Sequence, residues 1–223
     1  MGFSSSSRAR LTERDLDRFA GTTLFHRLAR AVCRARCLPR KELFEAWEMG
    51  RRVRRQFRGG RVVDLGAGHG LLAHVMLLLD DSSPGALVVD KALAPSSAKL
   101  HAVLAEAWPR LSERIIFAER GLDEVEFAST DIVVSSHACG ALTDRVLEHA
   151  VAARARVAVL PCCHDLGPRR TGDLSGWLEA SLAIDIERAV RLRRQGYRVW
   201  THMISADITP KNRLLLGAPE PAT

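Results

Sequence analysis

Residues 61–70 read Arg61-Val62-Val63-Asp64-Leu65-Gly66-Ala67-Gly68-His69-Gly70. The apolar run at 62–65 is rich in β-branched residues, which is typical of a buried parallel strand. Three glycines follow at every second position, and the apolar run at 71–79 predicts a helix. A strand, a glycine loop and a helix in this order form the first unit of a nucleotide-binding α/β sheet. The glycines permit a sharp turn and let a ligand approach the backbone.

The spacing of the glycines separates this loop from a dinucleotide-binding fingerprint, whose third glycine comes three positions after the second. That position is Leu71 here, and Asp64 ends the strand just before the first glycine. Acid-x-Gly-x-Gly-x-Gly resembles the first motif of class I S-adenosylmethionine (SAM)-dependent methyltransferases; the alternative is an ordinary tight turn. The resemblance implies that the loop lies under the methionine part of SAM and that the acid holds its amino end. The SAM-binding residues it implies are Asp64, Gly66, Ala67, Gly68 and Gly70.

Two further strands are predicted to end in acidic residues. Asp90 follows the run at 86–89 and lies 20 positions after Gly70, where nucleotide folds place an acid that accepts hydrogen bonds from both ribose hydroxyls. The alternative for Asp90 is a cap on the next helix. Lys91 follows it and either flanks the adenine or is solvated. By the same resemblance, Glu119 at the end of the strand at 114–118 faces the adenine amino group.

Polar and cysteine-rich segments follow the fourth and fifth predicted strands. Strand 130–135 leads into Ser136-His137-Ala138-Cys139-Gly140, and strand 156–160 leads into Pro161-Cys162-Cys163-His164. Because ligands bind beyond the carboxyl ends of parallel strands, we expect both segments at the same edge of the sheet. The pair of motifs resembles a methyltransferase group that includes tRNA 2′-O-methyltransferases, and the resemblance covers about residues 40–164. This chain lacks the zinc-binding segments of that group.

The proton of an acceptor nucleophile needs a base, and His137 is the candidate catalytic residue. The alternative is a structural hydrogen bond between the two segments. Ser136 is expected beside SAM. The expected substrate-side residues are Arg40, Cys139, Cys162, Cys163 and His164. Although histidine and cysteine suit zinc, the chain has no Cys-x-x-Cys pair, so no metal is expected.

The end of the chain predicts two strands, at 197–204 and 212–217, with no helix between them, so they must be antiparallel. Methyltransferases of this class end in such a hairpin. The predicted fold is therefore α/β and Rossmann-like, of the class I methyltransferase type. It has a seven-stranded, mostly parallel sheet, an antiparallel closing hairpin and N-terminal helices.

Residues 1–58 contain fifteen Arg or Lys and six Asp or Glu, so the whole positive excess of the chain lies there. This charge is either a footprint for an anionic partner such as RNA or a solvated arginine face. We expect a disordered tail over 1–10 and helices over 11–58 that serve as a lid or substrate-recognition extension. A SAM-binding domain is expected over 59–219.

Composition and chain length argue against a disulfide-stabilised protein and against a membrane-spanning one. With 223 residues, the chain is long enough for one α/β domain with a modest extension. Five cysteines, two of them adjacent, do not form a disulfide framework, which favours a reducing, cytoplasmic setting. No apolar run is long enough to cross a membrane, so no membrane partner is expected.

The sequence thus predicts a SAM-dependent methyltransferase that acts on RNA or on a small molecule. RNA is favoured by the resemblance and by the basic helices, and a metabolite by the lack of an added RNA-binding module. One alternative is attack at another sulfonium carbon, by alkyl transfer or by cyclisation that releases methylthioadenosine. The other is a non-catalytic interaction protein with a SAM fold.

Overall fold

A computed structural model describes residues 3–161, 164 and 174–221. Its centre is a seven-stranded sheet in the order β3-β2-β1-β4-β5-β7-β6. The strands are β1 (Val62–Leu65), β2 (Ala86–Asp90), β3 (Ile115–Glu119), β4 (Ile132–Ser135), β5 (Arg156–Val159), β6 (Tyr197–Met203) and β7 (Arg213–Pro219). The first five strands are parallel, and β7 pairs antiparallel with both β5 and β6. The predicted mostly parallel sheet with an antiparallel closing hairpin is confirmed.

Helices cover both faces of the sheet. They are α1 (Leu24–Ala35), α2 (Arg40–Gln56), α3 (Leu71–Leu79), α4 (Ser97–Ala107), α5 (Ala141–Ala152) and α6 (Ala180–Arg194). Buried side chains of α1 to α4 share one core with one face of the central strands, whereas α5 and α6 pack on the other face. Because the strands are buried on both faces, they read as continuous apolar runs.

The two N-terminal helices pack against helices of the nucleotide-binding unit. Helix α1 contacts α4, and α2 contacts α3. At Gly50 in α2, an added Cβ would lie 2.7 Å from Cγ1 of Val75 in α3, so the two helices approach closely there. The expected lid helices are therefore part of the layer over the sheet, and only the start of α2 reaches the ligand edge.

Residues 3–11, here called the N-terminal strap, contact the rest of the molecule, in contrast to the expected disordered tail. The ring of Phe3 lies edge-on to Phe19, and the Arg40 guanidinium stacks 3.8 Å from the centre of the Phe3 ring. Backbone hydrogen bonds join the strap to the start of α2, from Arg40 N to Ala9 O and from Lys41 N to Ser7 O. An aromatic anchor and these hydrogen bonds order the segment.

Other differences from the sequence prediction are local. Residues 13–19 form a 3₁₀ helix rather than the first part of an α-helix, and Thr12 caps it together with Asp15. A single 3₁₀ turn, Leu174–Gly176, precedes α6. Within the described residues, no helix is long and apolar enough to cross a membrane.

Candidate functional site

The glycine loop joins β1 to α3 through three left-handed residues. Gly66, Gly68 and Gly70 have φ values of 61°, 55° and 76°, which side chains disfavour. An added Cβ would lie 2.9 Å from Val88 at Gly70, but it would meet nothing within 4 Å at Gly68. Gly70 is therefore required by packing, and Gly68 leaves open space above the loop.

Asp64 is buried directly beneath this loop. Its Oδ2 accepts a hydrogen bond from the backbone N–H of Ala73 at 3.2 Å, while its Oδ1 is buried with no hydrogen-bond partner. Burial raises the pKa of the Asp64 carboxyl to about 7, and the neighbouring Asp90 adds to the effect. A buried carboxylate oxygen without a partner fits a cationic donor such as the ammonium group of SAM.

Asp90 supports the loop from the end of β2. Its Oδ2 accepts a hydrogen bond from Gly68 N at 2.9 Å, and its Oδ1 accepts one from Ala92 N at 3.3 Å. The backbone N–H of Ala67 donates to Val89 O at 3.1 Å. The carboxylate therefore holds the loop in shape and also faces the adjoining pocket.

This glycine-loop pocket contains some of the predicted residues and several that sequence reasoning missed. Its lining consists of Leu65, Gly66, Val89, Asp90, Lys91, Arg120, Leu122, Leu142 and Arg145. Asp90 and Lys91 were expected there. Glu119 is paired with Asp90 in the β2–β3 register but is exposed and is not among the lining residues, whereas the next residue, Arg120, is. Leu122 lies shortly after the end of β3, and Leu142 lies in the first turn of α5. These positions are their only signal in the sequence.

The segment after β4 is fixed by short polar contacts. Ser135 Oγ donates to Leu65 O at 2.6 Å and accepts from Ala138 N at 3.1 Å. Thr143 Oγ1 donates to Ala138 O at 2.6 Å. Ser136, expected beside SAM, is buried next to these contacts. The Ser135–Leu65 hydrogen bond joins this segment to the glycine loop, and an added Cβ at Gly66 would lie 3.8 Å from the carbonyl carbon of His137.

His137 borders a second and larger pocket of about 640 Å³, here called the His137 pocket. It lies between the strap, the start of α2 and the loop between β6 and β7. The lining residues are Ser6, Arg8, Pro39, Lys41, Glu42, Glu45, His137, Ile208, Thr209, Pro210 and Lys211. Glu42 Oε2 lies 3.7 Å from Nδ1 of His69 in the glycine loop, so this pocket reaches the loop from its other side.

Arg40, Cys139 and His164, the remaining substrate-side candidates that the structure describes, are not among the residues that line the His137 pocket. The Arg40 side chain stacks on Phe3 and lies 3.5 Å from Asp15 rather than lining the His137 pocket. Cys139 is exposed beside His137. The His164 side chain is only 2% exposed and bonds to Asp185, so it does not form a pocket wall. Cys162 and Cys163 lie outside the described residues.

The described residues contain no group of three or more His, Cys, Asp or Glu side chains that could hold a metal ion. That search does not include Cys162 and Cys163, on which the sequence-based question of a metal also depended. The prediction that no metal is bound therefore remains a prediction.

Comparison with protein families matches residues 47–166, more than half of the chain, to a family described as a methyltransferase domain. A comparison with curated proteins gave no match.

Solved methyltransferase structures share the fold at low identity. An O-methyltransferase family protein from Burkholderia thailandensis is 20% identical over 96% of this chain and 64% of its own, with a TM-score of 0.51. The SAM-dependent methyltransferase SibL is 19% identical over 95% and 66%, with a TM-score of 0.54. The Bacillus subtilis tRNA methyltransferase TrmK is 15% identical over 78% and 66%, with a TM-score of 0.51. This chain thus spans less than two thirds of each of these three structures.

Proposed function

The chain belongs to this methyltransferase domain family, and from that premise we propose that it transfers the methyl group of SAM to an acceptor held in the His137 pocket. Membership of the family makes it an enzyme of the SAM-dependent methyltransferase class, with SAM as co-substrate. The observation that carries the proposal is the junction of the two loops, which the Ser135 Oγ–Leu65 O hydrogen bond joins, because Gly66 lines one pocket and His137 lines the other.

Each role proposed for SAM binding follows from a contact or an open space at the glycine loop. The orphaned Oδ1 of Asp64 accepts from the ammonium group, and the open space at Gly68 admits the methionine part. Asp90 and Lys91 take the ribose and adenine side of the glycine-loop pocket. When bound, SAM supplies an electrophilic methyl group on a sulfonium. Because methyl transfer is an in-line displacement, the protein contributes mainly by positioning.

On the acceptor side, His137 is the proposed general base, since its side chain lines the pocket next to the glycine loop. The fixed backbone from Ser135 to Thr143 holds this histidine in place. A His137→Gln variant that bound SAM normally and kept full turnover would remove His137 from this role and leave it a structural residue.

The charges of the His137 pocket favour RNA as the acceptor. Lys41 is paired with Glu45 at 3.2 Å, whereas the side chains of Arg8 and Lys211 have no ion pair within the described part of the chain. Glu42 also lines the pocket, so its three cations and two carboxylates give a formal net charge of +1. A net positive pocket favours an acceptor with negative charge, such as the phosphate backbone of RNA.

The test of this proposal is transfer of a labelled methyl group from SAM into separated RNA and small-molecule fractions of a cell extract. We expect label in RNA, and less of it after Arg8→Ala and Lys211→Ala. Label confined to small molecules would replace RNA by a metabolite acceptor. Methylthioadenosine without label transfer would replace methyl transfer by other sulfonium chemistry.

A further inference from the structure

A buried cluster of charged side chains lies between α5, α6, β7 and the segment that follows β5. Its centre is Arg188 of α6, which is 1% exposed. Arg188 Nε and Nη2 donate to the two carboxylate oxygens of Asp144 at 3.0 and 3.2 Å, and Nη2 also donates to Gly140 O at 3.1 Å. Nη1 donates to Asp185 Oδ1 at 3.2 Å.

Asp185 connects Arg188 to the segment that follows β5. Its Oδ1 accepts from Nε2 of His164 at 2.8 Å, and its Oδ2 accepts from Nε of Arg213 at 2.7 Å. Although burial opposes ionisation of Asp185, the hydrogen bonds from His164 and Arg213 lower the pKa of its carboxyl. The carboxylate therefore stays charged and keeps all three cationic or donor groups around it.

The two ends of this cluster belong to the two polar segments that follow β4 and β5. Gly140 closes the segment after β4 and has φ 55° and ψ −123°, a backbone conformation that only glycine adopts readily. Its carbonyl is held by Arg188, while Ala138 is held by Ser135 and Thr143. His164 ends the segment after β5. It binds Asp185, which also binds Arg188.

We propose that Arg188 is a positioning residue, which sets the His137 segment relative to the His164 segment through its hydrogen bonds to Gly140, Asp144 and Asp185. Asp144 and His164 then act by joining the segments rather than by touching the acceptor. This inference rests on the proposed function where it concerns turnover. Where it concerns the position of the two segments, it is independent of the acceptor.

A single Arg188→Met change removes the guanidinium that holds Asp144 and Asp185, which can unfold the protein. The variant to use is therefore Asp144→Asn with Arg188→Met, which removes both charges of the pair. Arg193→Met is the matched control, since Arg193 also lies on α6 and is exposed, and its side chain makes no ion pair within the described residues.

Two measurements test the proposal. Hydrogen–deuterium exchange is expected to rise at least threefold at residues 136–142 in the double variant. It is not expected to rise in the β1–α3 unit of that variant or in Arg193→Met. With methyl transfer to RNA, kcat is expected to fall at least tenfold, while the Kd for SAM changes less than twofold. An exchange rate at 136–142 equal to that of the wild type would overturn the positioning role whatever the activity. Faster exchange in a protein whose wild type methylates no RNA would retain the positioning role and reject the RNA acceptor.

Discussion

Asp64 is a buried carboxyl whose ionisation the fold itself disfavours. Because its pKa in the folded protein is raised to about 7 from an ordinary value near 4, the folded state holds this proton more tightly than the unfolded state. The free energy of unfolding of the ligand-free protein therefore falls as pH rises from about 4 to about 7, and Asp64 contributes no further change above that pH. A cationic ligand group beside Oδ1 favours the ionised form of Asp64 instead.

Asp64→Asn is predicted to have opposite effects on the stability of the ligand-free protein and on its affinity for SAM. The variant has no carboxyl to ionise, so its stability relative to the wild type increases between pH 5 and pH 8, measured by thermal unfolding without ligand. The Kd for SAM is expected to rise roughly tenfold at pH 8, since a hydrogen bond to a charged group is lost. An unchanged Kd would show that Asp64 does not face the ammonium group.

Gly68 allows a test of where SAM lies against the loop. Gly68→Ala adds a methyl group at φ 55° into open space, so it is expected to cost about 1–2 kcal/mol of stability for the left-handed backbone. Gly59→Ala is the control, because Gly59 has φ 63° and its Cβ would lie 3.7 Å from Ser82 Oγ, away from the pocket. Calorimetry should give a more than tenfold weaker SAM affinity for the first variant only. Equal affinities would place SAM elsewhere.

The N-terminal strap forms one wall of the His137 pocket through Ser6 and Arg8, and Phe3 anchors it. Phe3→Ala is predicted to raise the acceptor KM at least fivefold while the Kd for SAM stays the same, since no residue of the strap lines the glycine-loop pocket. Loss of the partly buried ring should also cost about 1–2 kcal/mol of stability. Steady-state kinetics and thermal unfolding measure the two effects.

Phe127→Ala is the matched control for that change. Phe127 is also partly buried, and its ring packs against His149 in the other core of the molecule. A similar loss of stability without a change in acceptor KM is expected. Equal KM values for the two variants would contradict a role of the strap in acceptor binding.

The elements of the fold could be predicted where the signal is local. The strand, loop and helix from Val62 to Leu79 show their pattern within 18 consecutive residues, and the structure confirms each part. The position of Arg40 could not be predicted in this way, because the ring of Phe3, 37 positions earlier in the chain, binds its guanidinium.

Residues that reach the site from distant elements left no pattern in the sequence. Arg120 and Arg145 enter the glycine-loop pocket from separate loops and helices, and their neighbours in the chain do not mark them. In the sequence, Arg188 is one of several arginines on an amphipathic helix. Nothing nearby marks it, because its partner Asp144 is 44 positions away. Long-range partners of this kind are known only once the sheet order is known.

Part of the positive charge of the N-terminal region is paired with carboxylates in the folded molecule. Arg18 lies 3.3 Å from Asp15, and Arg51 lies 3.4 Å from Glu48, so these cations add less to the field around the protein. Arg8 and Lys211, whose side chains make no ion pair within the described residues, line the His137 pocket. These two cations therefore lie where the acceptor is proposed to bind.

RNA affinity is predicted to fall as salt concentration rises, with a slope of log K against log salt that reports the phosphate contacts. Changing Arg8 and Lys211 to Ala should each reduce the slope by about 1. Arg51→Ala is expected to leave the slope unchanged, because Arg51 is paired with Glu48. Fluorescence anisotropy with a labelled RNA measures all four proteins. Slopes that are equal in all of them would place RNA on another surface.

The most direct test of methyl transfer is mass spectrometry of the small molecules formed when the protein is incubated with SAM, with and without RNA. We expect S-adenosylhomocysteine only when RNA is present, together with a mass gain of one methyl group on the RNA. Methylthioadenosine formed without an acceptor, or SAM left unchanged by a protein that binds it, would contradict methyl transfer.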